Sequence, residues 1–146
     1  MFSRLVQTSR KLIVPLSWTI FTQILVSLPG KFLRGPERFL NIPHIDKIAH
    51  IILFGGLSIF WIIFFYYRRA GSQKYTPLII LLILAAYGTG IEYYQLNFIP
   101  NRSFDTGDIV ADVCGALCGY FATIIILRSV QSRKIPQEKI VAGTKE

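Results

Sequence analysis

Asp46 and His50 stand four residues apart, a spacing that puts two side chains on one face of a helix. An aspartate one turn from a histidine can fix the tautomer of the imidazole and leave its second nitrogen to move a proton. Glu92 and Gln95, three apart, share a face in the same way, and Asp108 and Asp112, four apart, stack likewise. Lys47 and Arg102 are cations suited to an anionic group. The acid–base reading has Asp46 orienting His50, and His50 or Glu92 carrying the proton. The substrate is then met by Lys47, Gln95, Arg102, Ser103, Asp105, Asp108 and Asp112. Ser103 is the nearest hydroxyl to serve as a nucleophile, and nothing in the sequence activates it. The carboxylates Asp46, Glu92, Asp105, Asp108 and Asp112 exceed the cationic groups Lys47, Arg102 and protonated His50, which favours a bound cation or a raised carboxyl pKa. One histidine with carboxylates is a chemically sound divalent-metal set. No H-x-x-x-H spacing calls for a metal, and no cofactor is established.

These residues must be positioned by a chain that is 52% hydrophobic and only 16% charged, with mean hydropathy +0.47 over 146 residues. Soluble domains carry about 25% charged residues, and a globule of this size could not hide so much apolar surface. Four stretches are almost free of charge: 12–28, 48–67, 78–94 and 109–127. Each approaches the roughly 17–25 apolar residues that cross a bilayer as a helix. The runs are continuous rather than alternating, which selects helices over barrel strands. The expectation is an all-α membrane protein: a four-transmembrane-helix bundle over 1–127, followed by a polar, basic, frayed cytoplasmic tail at 128–146. The first stretch is too long for a signal-peptide core, and no A-x-A-like site follows it. It therefore reads as an uncleaved helix with Pro15 in its first turn, ended by Pro29-Gly30.

Eleven of the 16 Lys and Arg fall in the amino-terminal segment, the loop 68–77 and the tail; the rest lie in the other two loops. Positive residues stay in the cytoplasm, so both termini are expected inside. Basic segments beside anionic lipid then account for the net charge of +8, with no nucleic acid as partner. His50 is third in its stretch, Asp112 fourth, and Glu92 lies about 21 Å of helical rise beyond Leu78. All three reach the outer leaflet at one height, so one outward-facing polar pocket is expected. The same groups can also serve packing alone, with Lys47 and Arg102 neutralising Glu92 or Asp112. Ala111, Gly115, Gly119 and Ala122 form a small-residue stripe, with a G-x-x-x-G step for close helix contact. Cys114 and Cys118 read as inert packing, and Trp61, Phe64, Phe65, Tyr66 and Tyr67 as an inner-interface belt.

Three pieces together resemble the VanZ-like family of small bacterial membrane proteins. They are SLPG (Ser27–Gly30), IPHIDKIAHIILFGGL (Ile42–Leu57), and EYYQ (Glu92–Gln95) followed by PNRSFDTGDIVADVCGALCG (Pro100–Gly119). The Asp-Lys-x-x-His core falls on Asp46, Lys47 and His50, and Glu-x-x-Gln on Glu92 and Gln95. Arg-Ser-x-Asp falls on Arg102, Ser103 and Asp105, ahead of Asp108, Asp112 and Gly115. At Asp112, relatives often carry asparagine. The resemblance implies a protein of the bacterial cytoplasmic membrane acting at the outer leaflet in cell-envelope modification or teicoplanin-type glycopeptide resistance. Its partners would be membrane lipids and a lipid-linked envelope precursor or an amphiphilic antibiotic. Two activities stay open: an acid–base enzyme on a lipid-linked or phosphate-bearing precursor, and a non-catalytic binder of a head group, an antibiotic or a partner membrane protein. Transport is the poorer reading, because no inner-leaflet ionisable residue continues a pathway.

Overall fold

A computed structural model describes residues 2–29, 45–68 and 74–143, with side chains over 11–29, 45–68 and 74–130. Gly30, Ile42–His44 and the basic residues Lys31, Arg34, Arg38, Arg69 and Lys145 lie outside the described residues. The chain forms four helices: α1 (Phe2–Val26), α2 (Ile45–Arg68), α3 (Thr76–Phe98) and α4 (Thr106–Gly143). Among the described residues α2, α3 and Thr106–Val130 of α4 are long and apolar enough to cross a membrane, and Lys11–Val26 of α1 is a shorter apolar stretch. Their outward faces are apolar, with Ile20, Ile52, Leu82, Ile83, Phe121 and Ile125 exposed along their length. A bundle that turns this much aliphatic surface outward has lipid as its solvent.

Two boundaries differ from the sequence expectation. α1 begins at Phe2 rather than near Leu12, so Pro15 is interior to the helix instead of in its first turn. A proline there removes one backbone bond; the hydroxyls of Ser17 and Thr19 fold back on the carbonyls of Val14 and Pro15, at 3.0 and 2.8 Å. At the other end the segment expected to fray continues α4 to Gly143. Extending an existing helix needs no new nucleus, and Gln, Lys, Arg and Glu tolerate it well, although Pro136 adds no backbone bond of its own.

α2 is the central helix. It packs most extensively on α4 and also contacts α1 and α3; α3 in turn lies on α4. Phe54 and Leu57 of α2 are fully enclosed, among Ile80, Leu84 and Ile91 of α3, Ala116 of α4 and Val26 of α1. The small-residue stripe sets the α2–α4 distance. A methyl on Gly119 would meet the Gly55 carbonyl oxygen, and one on Gly115 the carbonyl of Ile51, with Ile51 Cα at 2.8 Å. α1 is pinned by polar tips of aromatic residues: Trp18 Nε1 donates to the Leu53 carbonyl (3.0 Å), Trp61 Nε1 to Thr19 (3.1 Å) and Tyr87 to Gln23 (2.8 Å). Cys114 and Cys118 face outward from the bundle rather than packing inside it. In the aromatic segment only Tyr67 is exposed; Phe64 is buried, with Trp61 packed on it edge-to-face.

The start of α4 is built by three helices at once. Asp105 is its N-cap: Oδ1 accepts the Gly107 N–H at 2.7 Å, one of the donors a helix start leaves free. Its other oxygen takes Lys47 Nζ of α2, also at 2.7 Å. In a capping box, a glutamate at the third helical position accepts the N–H of the cap residue. Here that position is Asp108, which is turned to Lys47 at 2.9 Å, and Glu92 of α3 accepts the Asp105 N–H at 2.8 Å.

Two outcomes are expected. Gly119→Ala and Gly115→Ala should each destabilise the protein by about 1–3 kcal/mol through overpacking against backbone, despite a helix-propensity gain of about 1 kcal/mol. Gly90→Ala, which has nothing within 4 Å of its new methyl, should be neutral or stabilising; thermal unfolding in detergent compares the three. Lys47 and the Gly107 N–H hold the Asp105 carboxyl below the usual carboxylate range. The contribution of this cap is therefore full above the unfolded-state value and is lost only as pH falls through the lower folded-state one. A carboxyl-carbon NMR titration of Asp105 should give a midpoint below the ordinary value of about 3.9; a midpoint at or above it contradicts the clasp.

Candidate functional site

The first turns of α2 and α4 and the last turns of α3 meet at one end of the bundle, and most of the sequence-selected residues gather there. His50, Glu92, Gln95, Asp108 and Asp112 are all buried, Glu92 and Asp112 at 0% exposure. Across the α2–α4 seam His50 Nδ1 meets Asp112 Oδ1 at 2.8 Å. Asp112 thus takes the orienting position expected of Asp46. Asp46 sits half-buried one turn further out, its carboxylate within 4.8 Å of those of Asp105 and Asp108. A neutral imidazole bonded to a carboxylate through Nδ1 carries its proton there and presents a lone pair at Nε2. That nitrogen lies 3.9 Å from Asp108 Oδ2. His50, Asp108 and Glu92 form a group in which one ligand atom from each residue lies within 4.8 Å of the others.

The remaining residues divide. Lys47 is bonded to both Asp105 and Asp108, so its ammonium is engaged within the protein. Gln95 is buried, but its amide nitrogen is spent on the Val26 carbonyl at 2.9 Å, tying α3 to the end of α1. Arg102 is half-buried in the short α3–α4 loop, and its Nε is buried without a hydrogen-bond partner. Ser103 is exposed beside it. Asn101 turns the loop with a φ of 61°, a left-handed conformation that asparagine tolerates better than most residues.

Several buried oxygens have no partner: Glu92 Oε1, Gln95 Oε1 and Asp112 Oδ2. Asp112 Oδ2 lies against Gly88 of α3, where a methyl would come within 2.5 Å of it. Gly88 thus provides the room for this carboxylate. Gly107 does the same for Lys47, whose Nζ would stand 2.7 Å from a methyl there. The position of Gly107 between Asp105 and Asp108 was the available clue. The arrangement can orient an imidazole, keep carboxylates in an apolar setting and hold a cation. Among the described residues it offers no activated nucleophile.

A family model described as VanZ/LLP1 matches residues 3–128. An uncharacterized protein of Schizosaccharomyces pombe is 30% identical over 86 residues, which are 59% of this chain and 51% of that protein. The chain therefore spans about half the length of this relative. No solved structure matches significantly. The family match begins in the first turn of α1, ends within α4 and takes in every residue of the polar layer, so the chain belongs to the VanZ/LLP1 family.

Proposed function

We propose that this VanZ-type membrane protein works at the outer face of the bacterial cytoplasmic membrane, in cell-envelope modification or in resistance to teicoplanin-type glycopeptides. In the sharper form it does acid–base chemistry on a lipid-linked or phosphate-bearing envelope precursor. The observation that carries this reading is the 2.8 Å bond between His50 Nδ1 and Asp112, which leaves Nε2 as the proton-accepting atom of a fixed imidazole beside Glu92 and Asp108. The outward placement is supported by the basic residues. Lys11, Arg68, Lys74 and Arg128 lie toward the end of the bundle remote from the polar layer, as the positive-inside rule requires of the cytoplasmic end. An anionic head group would meet Arg102, whose guanidinium retains an unsatisfied buried nitrogen, rather than Lys47.

Two observations favour a second reading, a non-catalytic binder of a lipid head group, an amphiphilic antibiotic or a partner membrane protein. Lys47 is bonded to two carboxylates, and Ser103 is exposed rather than set beside a base. Such a layer can recognise without reacting.

In a host whose glycopeptide resistance depends on the protein, His50→Ala and Glu92→Gln should each lower the effect at least about tenfold if proton transfer is used. Retention of the full effect by Glu92→Gln, with loss in His50→Ala, removes the proton-transfer version. Purified protein that binds a lipid-linked precursor without turning it over establishes the binder. After both native cysteines are changed to serine, Asn101→Cys should react with an impermeant maleimide from outside intact cells and Gln137→Cys should not; the reverse pattern overturns the outward placement.

A further inference from the structure

We infer that His50 Nε2, Glu92 and Asp108 hold a divalent cation of borderline hardness, with Zn²⁺ first among the candidates. The inference rests on the preceding reading only in taking this layer as the working site.

The first observation is the donor geometry. The three ligand atoms lie within 4.8 Å of one another, and Nε2 and Asp108 Oδ2 are 3.9 Å apart. Two ligands at the usual zinc distances of about 2.0–2.2 Å can stand no more than about 4 Å apart across one ion, so modest closure brings the set onto a metal. The second observation is the burial and hydrogen bonding of Glu92, which the spacing of the donors does not dictate. Glu92 is 0% exposed, and its Oε1 has no hydrogen-bond partner. The other oxygen is fixed by the Asp105 N–H. A cation would satisfy that unpartnered oxygen directly.

The third observation lies behind the imidazole. Metal-bound histidines usually donate their other ring N–H to a carboxylate, which fixes the tautomer and makes the ligating nitrogen more basic. Asp112 does this for His50, at 2.8 Å. Asp108 is divided in a compatible way: Oδ1 accepts Lys47, while Oδ2 faces His50. The other acidic trio, Asp46, Asp105 and Asp108, already has the Lys47 ammonium bonded to two of its members, so its cation is in place.

The mixed donor set selects the ion. Calcium and magnesium favour all-oxygen shells, whereas zinc accepts imidazole and carboxylate together. Three protein ligands leave a position open for water or a substrate oxygen, as in catalytic zinc sites. With the ion on Nε2, a water on it would replace the imidazole as the base, because metal-bound water ionises near neutral pH.

The test uses the full chain purified in detergent, stripped with chelator, reloaded with zinc chloride and measured by elemental mass spectrometry. The expected result is about one zinc per chain, reduced at least about tenfold in His50→Gln and Glu92→Gln. The Cys114→Ser/Cys118→Ser double variant should keep full stoichiometry. Failure of the wild type to retain zinc overturns the inference, as does loss of zinc in the cysteine variant with retention in the His50 variant. If His50→Gln does not fold, the wild-type and cysteine-free stoichiometries still decide. A zinc-free protein whose resistance still needs His50 refutes the cation and leaves the proposed function; a zinc-loaded protein indifferent to His50 in resistance does the reverse.

Discussion

The backbone-to-backbone approach of α2 and α4 determines what the rest of the molecule can do. Gly115 and Gly119 place α4 directly on the carbonyls of Ile51 and Gly55, with no side chain between. In lipid this closeness has no hydrophobic driving force behind it, because acyl chains are as apolar as leucine; contact and weak polar interactions must hold the helices. The consequence is felt one turn away. His50 precedes Ile51 and Asp112 precedes Gly115, so the imidazole and the carboxylate meet within 2.8 Å. A larger residue in the seam would separate the helices and leave both groups in hydrocarbon without partners.

That penalty explains why the polar layer is interlocked. Removing one member of a buried ion pair typically costs about 3–5 kcal/mol, because the other charge stays behind. Each of the main groups has its partner on another element: His50 on α4, Lys47 on α4 and its preceding loop, Glu92 on that loop, Gln95 on α1. The contacts knit the bundle end together, and they also concentrate acid–base capacity where water has little access. Structural and functional uses of these residues are therefore not competitors, since the same bonds that lock the helices fix the imidazole tautomer.

Much of this was legible in the sequence. The charge-free runs announced the helices, because hydrocarbon excludes charge regardless of neighbours. The common depth of His50, Glu92 and Asp112 followed from counting rises along antiparallel helices, and the four helices do bring them to one end. What could not be read was pairing between helices. Asp46 lies one turn from His50 in the chain, yet the imidazole faces Asp112, because rotation of α2 against α4 is set by the glycine seam rather than by local spacing. For the same reason Lys47, which looked available to a substrate, proved engaged by Asp105 and Asp108. The ends of α1 and α4 were missed because hydropathy marks where lipid stops, and a helix need not stop there.

The shared N-terminus of α4 bears on how the chain assembles. α4 begins with amides and a cap residue whose bonding is completed by Lys47 and Glu92, side chains contributed by the two helices that precede it in the chain. Until those helices stand beside it, α4 enters the bilayer with its leading turn unfinished. Docking of α4 and completion of the polar layer are then one event, so a bundle lacking the correct neighbours cannot close this end and is left with uncompensated charge.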